Sequence, residues 1–97
     1  MSATKERSRE EAATFKGMGM AVLRLRESRR LSKAGLAAKA DIGSSTLLAI
    51  EEGDSDAQWG TLRRLAAALD TPLDALIKLA DELAPGRETL RAPVGGE

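Results

Sequence analysis

The chain has 97 residues, 42% of them hydrophobic and 31% charged, with neither Cys nor His, one Phe, one Trp and no Tyr. That length supports one small domain, and the missing residue types remove disulfides, thiolate nucleophiles, Cys-bound zinc and the commonest general base and metal ligand. Fifteen basic residues balance fifteen acidic ones, which argues against indiscriminate coating of a polyanion or a membrane surface.

Taken in chain order, helical signals recur and strand signals are missing, for no stretch alternates apolar and polar residues over strand length. Residues 1–14 are polar and read either as a loose arm or as an upstream extension of the first helix. Met18, Val22 and Leu25 then form one stripe of a helix from about Phe15 to Arg30. Ser32 is a suitable N-cap for a short second helix through Ala40, with Leu36, Ala37 and Ala40 inward. Asp41-Ile42-Gly43 predicts a tight break with one apolar plug, followed by a third helix from Ser44 to Glu52 that buries Leu47 and Ile50 and stops at Gly53. Trp59, Leu62, Leu65, Ala66 and Leu69 give a fourth stripe, with Trp59 read as a core anchor. Thr71-Pro72-Leu73-Asp74 predicts the start of a fifth helix, with Thr71 as N-cap, Pro72 at the first helical position and an acid two residues later. Its apolar positions are Leu73, Leu76, Ile77, Ala80 and Leu83, and Pro85-Gly86 ends it. The expected organisation is therefore an N-terminal arm or helix extension over 1–14, a helical domain over 15–84 and a loose tail over 85–97. The charged N-terminus lacks the apolar core of a signal peptide, and no apolar run approaches the ~20 residues needed to span a bilayer, so a cytoplasmic location without membrane contact is expected.

Charge is unevenly placed. Residues 1–40 carry ten Lys/Arg and four Asp/Glu, whereas residues 41–62 carry five acids and no base. Two short motifs carry no chemistry. Ser2-x-x-Lys5 lies on a terminus that cannot organise a Ser-Lys nucleophile, and Gly17-Met18-Gly19 lacks the Gly-Lys-Ser/Thr ending of a phosphate loop. Neither a cofactor nor a metal is expected, and the chain is read as a non-enzyme.

The run from Leu31 to Gly53, Leu-Ser-Lys-x-x-Leu-Ala ahead of Ile42-Gly43-Ser44 and Ile50-Glu51-Glu52-Gly53, resembles the helix-turn-helix of the Cro/cI-type (XRE) transcriptional regulators. Thr61-Leu62-Arg63-Arg64-Leu65-Ala66-Ala67-Ala68-Leu69 supplies that family's downstream block in register, so the resemblance spans about residues 17–80. It implies an all-α, five-helix, lambda-repressor-like DNA-binding domain, with the third helix entering the major groove of double-stranded DNA. It also implies a dimer on a near-palindromic operator.

Carried over residue by residue, the resemblance makes Lys33 a phosphate clamp where relatives commonly have Gln. It turns Ser44, Ser45, Thr46, Leu48 and Ala49 toward the bases. Lys39 joins them as a DNA-binding candidate, while Arg24, Arg29 and Arg30 stand open to phosphate or to solvent. Hydroxyls pair with almost any base edge and Leu or Ala touch only thymine methyls, so base readout is expected to be shallow. Asp54 and Asp56, after Gly53, stand where relatives often carry Lys or Arg, and carboxylates there repel phosphate. Glu51 corresponds to a structural acid of the family, paired with Arg26. Leu79 and Leu83 exceed what one buried face of the fifth helix requires, and either form a dimer surface or complete the monomer core.

Three functions fit these residues. The first is a sequence-specific regulator, acting as a homodimeric repressor or activator. The second is the antitoxin of a toxin–antitoxin pair, with a toxin protein as partner. The third is a helical protein-interaction module that has lost DNA binding.

Overall fold

A computed structural model describes residues 2–86, with side chains from Arg9 onward, and contains five helices. They are α1 (Ser2–Ser28), α2 (Lys33–Ala40), α3 (Ser44–Glu51), α4 (Trp59–Ala68) and α5 (Leu73–Leu83). No strand occurs among the described residues. The upstream polar segment continues α1, which at 27 residues is about 40 Å long. Beyond Gly86, the expected C-terminal tail lies outside the described residues.

The core gathers one stripe from each helix. Val22, Leu36, Leu47, Ile50, Leu65, Leu69 and Leu76 are its largest fully buried side chains. Leu31, Ile42, Leu62 and Leu73 pack against its edges. Two glycines let α1 approach its neighbours closely. A Cβ on Gly17 would overlap the carbonyl oxygen of Ala80 and lie 2.9 Å from the Cα of Ala84, so bare backbone is required where α1 crosses α5. A Cβ on Gly19 would overlap the carbonyl oxygen of Ile50 and lie 2.6 Å from that of Glu51. The Gly-Met-Gly segment thus serves packing, and its second glycine seats the C-terminal turn of α3 directly on α1.

The C-terminal ends of α1 to α4 share one closure. Leu31 N–H donates to the Arg26 carbonyl, Ile42 to Ala37, Asp54 to Ala49 and Thr71 to Ala66, at 2.9–3.0 Å. Each is the long-range bond of a Schellman motif, which needs a left-handed residue just before the donor. Gly53 supplies it after α3, as its sequence position suggests, but Arg30, Asp41 and Asp70 supply it elsewhere, with φ of 58°, 59° and 53°.

Three sequence expectations are corrected. Thr71 does not cap α5. Pro72 occupies the cap position with no side-chain bond, while the Thr71 hydroxyl donates back to the Leu69 carbonyl at 3.0 Å. The connection is so short that Thr71 is already committed to closing α4. Trp59 is no core anchor, being 60% exposed. The first turn of α4 overhangs the core, whose contact at this point is made by Ala57 and Leu62. Ile77 is 43% exposed, because one step beyond fully buried Leu76 rotates a side chain by about 100°, off the inward line. Leu79 and Leu83 are partly buried and pack against the core, leaving only part of each for any other surface.

Two arginines, one in the last turn of α1 and one just after it, tie the bundle together. Arg26 Nε donates to Glu51 Oε2 at 2.7 Å and Nη2 to Oε1 at 3.4 Å, while Nη1 donates to the Leu31 carbonyl at 2.9 Å. The two charged side chains are 10% and 4% exposed, so this pair joins α1, the α1–α2 turn and the end of α3 away from solvent. Arg29 donates through Nε to the Leu69 carbonyl at 2.7 Å and through Nη2 to the Asp70 carbonyl and the Thr71 hydroxyl at 3.3 and 3.2 Å. A cation there meets the negative end of the α4 dipole. Arg29 therefore locks α1 to α4 and is not held free for phosphate.

Arg26→Ala strands a carboxylate that is almost wholly buried, and should cost about 3–5 kcal/mol in urea unfolding. A loss below ~1 kcal/mol would show the pair to be dispensable. Gly19→Ala should destabilise the chain by about 1–3 kcal/mol through overpacking, with amide shifts concentrated at Ile50 and Glu51; unchanged stability would mean that α1 and α3 separate freely.

Candidate nucleic-acid interface

The turn between α2 and α3 sets what α3 presents. Asp41 turns left-handed, Ile42 drops partly into the core edge, and Gly43 enters α3 extended, with φ −70° and ψ 151°. From there Leu47 and Ile50 point inward, at 0% and 1% exposure. Helical geometry then turns Ser44, Ser45 and Thr46 outward, and all three are exposed. Leu48 is 39% exposed, whereas Ala49 is partly buried. The helix accordingly offers three hydroxyls and one methyl-bearing side chain to an incoming surface.

The start of α3 also carries backbone donors. Gly43 has no side chain to cap it, and the first intrahelical bond comes from Leu47 N–H to the Gly43 carbonyl at 3.1 Å. The N–H groups of Ser44, Ser45 and Thr46 precede that bond and face outward at the positive end of the helix dipole. At the start of α2, Ser32 Oγ accepts from Gly35 N–H at 2.9 Å, which closes one of its donors and orients the first turn. Lys33 follows as the first helical residue and is exposed. Lys39 is exposed in the last turn of α2, where it shares a shallow concavity with Asp41 and Arg64 of α4. Arg24 and Arg30 are exposed as well.

Charge along α3 runs in one direction. Its N-terminal end has free N–H groups and no acid in the first turn. Its C-terminal end is followed by exposed Glu52 and Asp54. A polyanion is therefore favoured at the Ser44 end and repelled at the Glu52 end. Asp56, the other carboxylate of the loop, lines a groove beside α1 and α5 instead. That groove, with exposed Ile77, gave no sequence signal, since Ile77 falls inside an apolar arc that helical periodicity alone assigns to the core.

Among the described residues no group of three or more His, Cys, Asp or Glu side chains is arranged to hold a metal ion. No described helix is long and apolar enough to cross a membrane.

Comparison with known proteins agrees with this geometry. The profile of the helix-turn-helix domain family matches residues 17–79, from the first close-packing glycine of α1 to the last turns of α5. A Mycobacterium tuberculosis (strain H37Rv) protein that carries an antitoxin assignment, HigA2, is 37% identical over 79 residues, which cover 80% of this chain and 73% of the relative. With α2 and α3 joined by a three-residue turn, and a profile match over most of its length, the chain belongs to the helix-turn-helix domain family.

Proposed function

We propose that this protein is a transcriptional regulator that binds a specific double-stranded DNA site through α3. The observation that carries this is the exposed, uncapped first turn of α3, with Ser44, Ser45 and Thr46 outward and Lys33 exposed at the start of α2. In this arrangement Lys33 and the α3 N–H groups hold phosphates, and the three hydroxyls with Leu48 meet base edges and thymine methyls. Lys39 reaches phosphate at the margin, partly offset by neighbouring Asp41, and Ala49 permits close approach. Discrimination is modest, because no side chain of this set makes the bidentate pairs that separate bases by about 1–3 kcal/mol.

One such surface is small for tight binding, so the chain acts as a homodimer, with two copies of α3 about 34 Å apart on a near-palindrome. Leu79 and Leu83 keep a partly exposed flank of α5 available for that contact. A second role is favoured by the antitoxin assignment of the Mycobacterium tuberculosis relative: the same fold serves as the antitoxin of a toxin–antitoxin pair, with a toxin protein bound through a segment flanking the domain. The two roles share the DNA interface and differ in whether a toxin is bound.

Salt dependence tests the DNA interface directly. Affinity for a selected duplex should fall linearly in a log–log plot, each phosphate contact adding about 0.9 to the slope. Absence of duplex binding at low salt would leave only a protein-interaction module. Lys33→Ala should weaken every duplex alike and reduce the slope by about 1, as expected for a phosphate contact. Ser45→Ala should re-rank the preferred sites; equal loss on all of them would remove Ser45 from base readout.

A further inference from the structure

Two adjacent glutamates at the end of α3 have opposite fates. Glu51 is held inside by Arg26, its side chain 4% exposed. Glu52 follows with φ −82° and ψ −5°, and its N–H still donates to the Leu48 carbonyl at 2.9 Å, so its side chain leaves on the helical course. Glu52 is exposed, and the ion pair between Arg26 and Glu51 does not include it. Residues of a helix follow one another at about 100°. With Leu47 and Ile50 buried, that spacing puts Ser45 and Glu52 within about 20° of each other on the outermost line of α3, with Leu48 to one side and Ala49 to the other. Ser45 and Glu52 are about 10 Å apart along the axis, roughly three base-pair steps of a duplex.

We propose that Glu52 is a specificity-determining residue of the DNA interface, its carboxylate accepting from the N4 amine of a cytosine in the major groove; this rests on the reading of α3 as the DNA-binding helix. An ionised carboxylate only accepts, and the major-groove edges of the bases are rich in acceptors: guanine O6 and N7, adenine N7 and thymine O4. Cytosine alone offers an amine with no acceptor beside it on the same base, since the adenine amine adjoins N7. The charge that repels phosphate therefore also rejects most base edges and leaves one favoured partner. A serine hydroxyl such as that of Ser45 both donates and accepts, and makes no such choice. The heading of Glu52 is set as well, because the grip of Arg26 on Glu51 fixes the rotation of α3 one residue earlier.

Selection of duplexes from a random pool by the full-length protein, followed by single-base exchange in the selected site, tests this. Each half-site should carry one cytosine about three base pairs from the position that Ser45→Ala re-ranks. Exchanging that cytosine for any other base should weaken the parent at least about fivefold, the lower end of base discrimination. Glu52→Gln, whose amide matches the N6 and N7 edge of adenine, should move the preference at that one position from cytosine to adenine. Glu52 is exposed and outside the core, so the variant folds, and an unchanged thermal midpoint verifies that. Glu52→Gln binding every duplex more tightly by the same factor would overturn the proposal, leaving Glu52 as a repeller of phosphate on an intact α3 interface. Selected sites with no cytosine preference at that spacing would overturn it too. A parent that enriches no duplex at low salt would overturn the α3 reading itself, and this proposal with it.

Discussion

The arginine–glutamate pair between α1 and α3 is the contact on which the geometry of the interface depends. An eight-residue helix is too short to persist on its own, so α3 holds its orientation only through what grips it. Leu47 and Ile50 grip its inner face apolarly, but apolar contacts allow rotation about the helix axis. A guanidinium held by a carboxylate and a backbone carbonyl does not, because its planar fork accepts few directions. With Glu51 fixed by Arg26, the opposite end of the helix, with Ser44 and Ser45, is aimed as a consequence. The bare backbone at Gly19 completes the constraint by bringing α1 against the last turn of α3.

The second arginine extends the same logic to the far side of the bundle. Arg29 closes the exposed carbonyls at the end of α4, and so α1 with the turn that follows it holds both α3 and the frame behind it. Two cations of a strongly basic N-terminal segment are thus spent on architecture. Fewer cations are therefore open to an anionic partner than the net charge of that segment suggests, with Lys33, Lys39, Arg24 and Arg30 among those left exposed. The acids after α3 limit the interface further by repelling phosphate at its other end.

Much of the fold was legible because periodicity and caps are local. The stripes through Val22, Leu36, Leu47 and Leu65, the Ser32 cap and the Gly53 stop each depend on residues within a turn of one another, and the structure has them in those roles. The left-handed closures at Arg30, Asp41 and Asp70 were not legible, for a non-glycine residue adopts that conformation too seldom for its type alone to mark a helix end as Gly53 does. Thr71 shows the same limit, since a hydroxyl with two possible helix ends to serve is assigned by the length of the connection.

Residue types and spacing alone determined the helical class, the absence of His- and Cys-dependent chemistry, and the identity of the segment that offers hydroxyls outward. Tertiary structure alone decided which of several equivalent arginines is spent inside, that Trp59 and Ile77 stay near solvent, and that Asp56 belongs to a groove instead of to the interface. The reason is physical: a side chain's local pattern sets its direction relative to its own helix, whereas its burial depends on where that helix ends relative to the others.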